Sequence, residues 1–377
     1  MLKIGIVCYP TYGGSGVVAT ELGIALAKAG HEVHFISYQQ PERLNQYGQN
    51  IRYHEVGVVN YPLFNYPPYE LALTSKLVDV VKFAKLDLLH VHYAIPHAFA
   101  ANIAKQILAQ SNIYIPIVTT LHGTDITIVG KDPTYEPAVT FSINMSDAVT
   151  AVSSYLKKET LAHFEVKKDI RVVPNFIDLK RFHPFPDECL RKQFAPNNEP
   201  IIIHVSNFRK VKRVEDVVRV FSEVRKKQPC KLILVGDGPE RNKVERLCRD
   251  LNYCPDVRFV GKVNLVEKLL SISNLFLMTS ESESFGLAAL EAMACGVPVV
   301  TSNVGGLPEL VQEGGYTCDL GDVKAMAEKA LHLLAPENQA AYRAKALSNA
   351  RKFEIHHILP HYEETYQNAL NQMKSTV

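Results

Sequence analysis

The sequence predicts an α/β protein of two doubly wound parallel-sheet domains in tandem, and three observations lead there. Short apolar runs bounded by turn residues alternate with longer stretches of helical spacing. That is the pattern of buried parallel strands joined by crossover helices. The alternation starts afresh after the proline-bearing stretch Phe182-His-Pro-Phe-Pro-Asp187. At 377 residues the chain is longer than one core usually sustains, so two domains of similar size are expected. Such sheets bind ligands beyond the carboxyl ends of their strands, so the expected site is a cleft faced by both domains.

The first domain is read over residues 1–182. Residues 3–8 are a continuous apolar strand, 10–16 a turn and 17–29 a helix ended by Gly30; the next strand covers 31–37. This is a β-α-β unit. Further buried strands are expected at 86–92, 115–120, 148–151 and 170–173. The second domain is read over 183–355, with strands at 201–205, 231–235, 258–260, 275–278 and 297–301 and a helix at 214–227. Residues 356–377 form a separate C-terminal helix, periodic over 358–373.

Composition excludes several classes. The net charge is +2, with 47% apolar and 21% charged residues, which suits a globular protein and is too even for a nucleic-acid surface. Over residues 1–180, Lys+Arg and Asp+Glu number 15 each, so the first half offers no basic face to anionic lipid. No apolar run reaches membrane-spanning length, and no stable membrane association is expected. The chain opens directly into a strand, so no secretory leader is expected. Seven scattered cysteines, none in a Cys-x-x-Cys pair, argue against disulfides and a zinc site and for a reducing cytoplasm. The pattern leaves a homo-oligomer open.

The segment Glu283-Ser-Phe-Gly-Leu-Ala-Ala-Leu-Glu291 is the most informative. Phe285-Gly286 reads as a turn and Leu287 as a helix start, with Glu291 about one turn inside. Alone, two glutamates at this spacing mean an amphipathic helix with Ser284 as its cap and an acid near its dipole. In the other reading, a loop glutamate and a first-turn glutamate hold two hydroxyl-bearing parts of one ligand. The N–H groups of Phe285, Gly286 and Leu287 between them then face an anion. A nucleotide-sugar has that shape: hexose, diphosphate, ribose.

Other segments sit at expected strand ends. Gly13-Gly14-Ser15-Gly16 is either a tight turn or an anion-facing helix start. Residue 19 is alanine and the second strand runs into Ser37-Tyr-Gln-Gln40, with no acid, so a dinucleotide site is not expected. His122 follows a strand end at Thr120; a lone histidine is ordinarily structural, but this position favours a site. His90 and His92 point the same way along one strand. No third ligand has suitable spacing, so hydrogen bonding is expected rather than metal ligation, with Tyr93 at the cleft mouth. Arg209, Lys210, Lys212 and Arg213 put four cations in five residues, either as a solvated loop or as a diphosphate site. Val235-Gly-Asp-Gly-Pro-Glu240 is a turn signal at another strand end.

Together these segments resemble the retaining nucleotide-sugar glycosyltransferases of the GT-B fold, which pair two Rossmann-like domains across a cleft. The run from Phe285-Gly-Leu287 through Glu291-Ala-Met-Ala-Cys-Gly-Val-Pro298 carries most of it, with residues 13–16 and Leu121-His-Gly-Thr-Asp125. Finer features are similar to the subfamily that glycosylates L-malate in bacillithiol biosynthesis: Cys8-Tyr-Pro10, Tyr66-Pro-Pro-Tyr69, residues 90–97, 119–127 and 204–213, and Asn175-Phe-Ile-Asp178. Lys212 matches the lysine of the family's Gly-Arg-x-x-x-x-Lys segment. Asn207 stands where the arginine usually is, and Arg209 is the candidate to replace it. The loop at 312–318 looks shorter than the family's turn.

The resemblance implies a hexosyltransferase with no metal and no cofactor, and a terminal helix that crosses back to the first domain. UDP-N-acetylglucosamine is the implied donor, held by Gly16, Asn207, Arg209, Lys212, Glu283, Phe285, Gly286, Leu287 and Glu291. L-malate is the implied acceptor, held by Gly14, Ser15, Gly16, Tyr93, Thr120, His122, Asn175 and Arg209. His122, Lys212 and Glu283 are the implied catalytic set, and no covalent nucleophile is expected. The rivals are a same-fold transferase using inositol phosphate or a lipid, a GT-B UDP-sugar epimerase, and a non-catalytic dinucleotide module.

Overall fold

A computed structural model of the chain describes every residue except 12, 45–47, 49, 59–66 and 377. Tyr66, which contributed to the resemblance, thus lies outside the described residues. The chain forms two compact units: Met1–Asn175 with Ile355–Val377, and Phe176–Glu354.

The first unit is built on a seven-stranded parallel sheet in the order β3-β2-β1-β4-β5-β6-β7. Its strands are β1 (Lys3–Val7), β2 (Glu32–Ser37), β3 (Ile51–Glu55), β4 (Leu88–His92), β5 (Ile117–Leu121), β6 (Ala148–Ala151) and β7 (Ile170–Val172). Strands β4 and β5 are buried at every position, as helices on both faces of a parallel sheet require. The order reverses between β1 and β4, the switch point where doubly wound sheets bind ligands. Strand β3 was not anticipated. It lies at the sheet edge and buries only Ile51, so Ile-Arg-Tyr-His-Glu carries no apolar run to read.

The second unit has a six-stranded sheet in the order β10-β9-β8-β11-β12-β13. Its strands are β8 (Ile201–Val205), β9 (Lys231–Val235), β10 (Val257–Gly261), β11 (Leu275–Met278), β12 (Val299–Ser302) and β13 (Gly315–Cys318). The order reverses between β8 and β11. The helix Val214–Arg225 buries Val214, Val217, Val218, Phe221 and Val224, the i, i+3, i+4 stripe that docks a helix on a sheet. The segment 312–318 corrects the reading of a simple loop. After a short turn at Gln312–Gly314 it becomes β13 and pairs in parallel with β12. A Cβ on Gly315 would lie 1.9 Å from the Val299 carbonyl oxygen, so the pairing needs glycine there.

The last helix, Ile355–Thr376, belongs to the first unit. Tyr362 and Tyr366 stand four residues apart on one face and are fully buried. The Tyr366 hydroxyl lies 2.7 Å from His90 Nδ1, and His31 Nε2 lies 3.0 Å from Glu363 Oε1. No helix among the described residues is long and apolar enough to cross a membrane.

Candidate active site

In the first unit the chain leaves β1 through the glycine loop and enters the helix Ser15–Lys28. Gly14 caps that helix at φ 60 without a side-chain cap bond, and among the described residues nothing lies within 4 Å of where its Cβ would be. Gly16 is different. A Cβ there would lie 2.5 Å from the Tyr9 carbonyl oxygen, so its missing side chain makes room for the chain's own loop. Ser15 Oγ donates to the Tyr93 hydroxyl at 2.7 Å, which brings two expected acceptor residues together.

The loops after β4 and β5 are tied by one buried carboxylate. Asp125 accepts the Ala94 N–H at 2.8 Å and the Gly123 N–H at 3.1 Å. Burial raises its pKa to about 6, while those backbone donors pull it back down. Between these loops sit the histidines. His92 Nδ1 and His122 Nε2 are 2.8 Å apart, and His97 Nδ1 donates to the His92 carbonyl at 2.6 Å. Burial pushes His90 and His122 down to about 3 and His97 to about 4, so these imidazoles are neutral at pH 7. Thr120 is fully buried, and its hydroxyl is committed to His90 Nε2 and Thr150 Oγ1, both at 2.7 Å. It therefore lies in the layer beneath His122. Asn175 is buried and its Oδ1 has no hydrogen-bond partner among the described residues.

In the second unit, β8 runs into the basic loop. Phe208 is buried; its N–H donates to the Asp237 carbonyl at 3.0 Å, and its own carbonyl accepts the Glu240 N–H at 2.9 Å. The Gly-Asp-Gly-Pro turn thus braces the loop, while Asn207 and Arg209 remain exposed. Thr279 Oγ1 donates to the carbonyls of Arg213 (2.9 Å) and Lys212 (3.2 Å), and the Glu281 N–H donates to Val211 at 2.8 Å. These bonds bring Lys212 to Glu283: Nζ and Oε1 are 2.5 Å apart, and Ser280 Oγ donates to the same oxygen at 2.9 Å. Both contacts use Oε1 of Glu283.

Beyond Glu283 the helix Leu287–Ala294 begins at Gly286, whose φ is 100, with no side-chain cap. Ser284 is therefore not the cap, and the positive φ is one that glycine adopts without strain. The side chain of Phe285 is core, packed edge-on against Phe353 with centroids 5.6 Å apart. Glu291 is buried on the helix, at 6% exposure. One pair was not assigned to the site from sequence: Gly305-Gly306. The Gly306 N–H donates to the Glu283 carbonyl at 2.9 Å, and a Cβ on Gly305 would fall 1.8 Å from that oxygen. Two adjacent glycines just past a strand end are the signal that marks such a backbone contact. Among the described residues, no group of three or more His, Cys, Asp or Glu side chains is arranged to hold a metal ion.

Two doubly wound parallel sheets in tandem are the architecture of the GT-B fold, and the family matches place the chain among glycosyltransferases. The family described as glycosyl transferases group 1 matches residues 187–353, and glycosyltransferase family 4 matches residues 12–181. The N-acetyl-alpha-D-glucosaminyl L-malate synthase of Bacillus anthracis is 48% identical over 380 residues, covering 99% of either chain. A sucrose-phosphate synthase from Thermosynechococcus elongatus superposes with TM-score 0.79 at 23% identity, covering 100% of both chains. Anabaena HepE in complex with UDP and glucose does so with TM-score 0.79 at 20% identity, covering 97% of this chain and 100% of that one. The chain belongs to the glycosyltransferase family that includes the Bacillus anthracis synthase, and it is an enzyme.

Proposed function

We propose that this enzyme transfers N-acetylglucosamine from UDP-N-acetylglucosamine to the hydroxyl of L-malate with retention, giving the α-glycoside and UDP, as the first step of bacillithiol biosynthesis. The observation that carries the reading is the 48% identity to the malate synthase, which extends over 99% of both chains and hence over both units. In the second unit, Glu291 binds the ribose and Glu283 the hexose. Lys212, Arg209 and the N–H groups at Phe285, Gly286 and Leu287 neutralise the diphosphate. The bonds of Glu283 to Lys212 and Ser280 through Oε1 support this, since Oε2 then serves the hexose hydroxyls. In the first unit, a malate carboxylate meets the helix start at Gly14, Ser15 and Gly16, with Tyr93, His122 and Asn175 beside it. Thr120 acts from beneath through His90.

In the reaction, the bond from the anomeric carbon to the diphosphate oxygen breaks and the malate hydroxyl oxygen bonds on the same face. The hydroxyl proton passes to the departing phosphate oxygen. Charge grows on the leaving diphosphate, and a fixed donor of this kind is worth about 10²–10³ in rate. Seven free cysteines suit a reducing cytoplasm. The test is UDP release from UDP-N-acetylglucosamine with and without L-malate. Release that depends on malate supports the reading. Isomerisation of the donor without acceptor, or turnover with inositol phosphate and none with malate, sinks it.

A further inference from the structure

We infer that His92 is a positioning residue that holds His122 in its Nδ1-protonated tautomer, and so makes His122 a hydrogen-bond donor on the open side of the first unit's site. The argument starts from an atom without a partner. His92 ends β4 and is fully buried, and its Nε2 meets no hydrogen-bond partner among the described residues. Its Nδ1 lies 2.8 Å from His122 Nε2, so one of these two nitrogens carries the shared proton.

Two arrangements of neutral rings are available. If His122 donated from Nε2, His92 Nδ1 would accept and the His92 proton would sit on Nε2. That would leave a buried N–H without an acceptor, which folded proteins tolerate less than a buried acceptor without a donor. The other arrangement has His92 donating from Nδ1, with Nε2 bare. His122 then accepts at Nε2 and carries its own proton on Nδ1. A doubly protonated ring is not available to either, because burial holds His92 far below the ordinary value and His122 at about 3.

The surroundings keep this arrangement in register. The His92 carbonyl accepts from His97 Nδ1 at 2.6 Å, which leaves His97 Nε2 as acceptor for the Tyr69 hydroxyl at 3.4 Å. Asp125 fixes the spacing of the two strand-end loops through Ala94 and Gly123. His122 itself is partly exposed, and among the described residues its one side-chain hydrogen bond is at Nε2, which leaves Nδ1 without a partner. An N–H there recognises a ligand oxygen with free lone pairs, whether a carboxylate or a sugar hydroxyl. A bare nitrogen would repel a carboxylate. What the donor meets rests on the proposed transferase reading; the tautomer does not.

The test is two-bond ¹H–¹⁵N spectroscopy of the full chain with ¹⁵N-labelled histidine, with His122 assigned by the signals lost in His122→Gln. Wild type is expected to show His122 protonated at Nδ1. His92→Leu is expected to give averaged tautomer signals for His122 and to lower kcat about 10–100-fold, the usual cost of losing a group that orients a site histidine. His92→Asn places a side-chain N–H where Nδ1 was, and is expected to restore both the tautomer and most of the rate. Adding L-malate alone and UDP-N-acetylglucosamine alone shows which ligand shifts the Nδ1 signal. Wild-type His122 protonated at Nε2, or a folded His92→Leu protein with an unchanged tautomer, overturns the inference. If His92→Leu does not fold, the wild-type spectrum decides alone. Failure of malate as acceptor would leave the tautomer result standing, so the two readings fail separately.

Discussion

Glu283 and Glu291 stand eight residues apart but live in different surroundings. Glu283 sits in a loop with an ammonium and a hydroxyl on one oxygen, while Glu291 is buried inside a short helix. If Glu291 holds the ribose, Glu291→Ala loses hydrogen bonds to a charged acceptor, about 1.5–3 kcal/mol, or roughly a ten- to hundredfold loss in UDP affinity. Glu283→Ala is expected to keep near-native UDP affinity and to lose turnover with the sugar donor. Calorimetry on both variants checks this, and native-like UDP binding by Glu291→Ala would remove the ribose assignment. In the proposed reaction, Lys212 offers its charge where the leaving group forms. Lys212→Ala is expected to lower kcat by about 10²–10³ and donor affinity far less. Steady-state and equilibrium measurements on one preparation separate the two effects. A loss confined to donor affinity would mean that Lys212 binds ground state and transition state alike.

At the scale of elements, the terminal helix is the informative case. Its 3.6-residue period was readable, and residues 358–373 fall inside the observed Ile355–Thr376. What the period could not supply is the partner. Tyr366 reaches across 276 positions to His90, and His90 passes the contact to Thr120 and Thr150. Tyr366→Phe removes that bond and leaves His90 Nδ1 buried without it, at a cost of about 1–3 kcal/mol. For a unit of this size that lowers Tm by roughly 2–12 °C, at about 2–4 °C per kcal/mol. Scanning calorimetry reads the shift, and an unchanged Tm would show that the bond adds nothing to the helix's docking. The edge strands show the opposite limit. Central strands such as β8, β9 and β11 announce themselves because both faces are buried. Strand β3 buries one residue in five, and β13 is specified by a glycine that permits close approach rather than by apolar residues.

For the molecule as a whole, the histidines whose values are lowered set the response to acid. His90 and His122 lie at about 3 and His97 and His204 at about 4, all lowered by burial from 6.5. The unfolded chain therefore takes up these protons first as pH falls. Stability from the neutral rings is complete above the unfolded value and is lost from there down through the folded values. Asp125, raised to about 6, acts in the opposite sense between its unfolded and folded values, but it is one group against these four and His92, which burial also lowers. Tm is expected to fall steadily from pH 7 to pH 5, and replacing His97 by glutamine should shallow that slope. Melting curves across the range check it; a flat profile would mean that these rings titrate as they do in water.

Much of this enzyme was determined by its sequence alone. The two doubly wound sheets follow from the alternation of short apolar runs with amphipathic helices, because burial on both faces leaves no other period. The strand-end loops follow from their turn residues, and the helix start at Leu287 from the Phe285-Gly286 turn before it. Only the tertiary structure decided who meets whom. Lys212 and Glu283 were read as separate ligand contacts, and folding joins them across 71 positions through bonds from Thr279 and Ser280. Thr120 was read as an open strand end and is a buried link between His90 and Thr150. Gly305 was passed over because what it does is expressed only against the Glu283 carbonyl. The physical reason is the same in each case. Periodicity and turn chemistry are local and act on neighbours in the chain, whereas a hydrogen bond or close contact between distant residues depends on sheet order and register, which no short segment encodes.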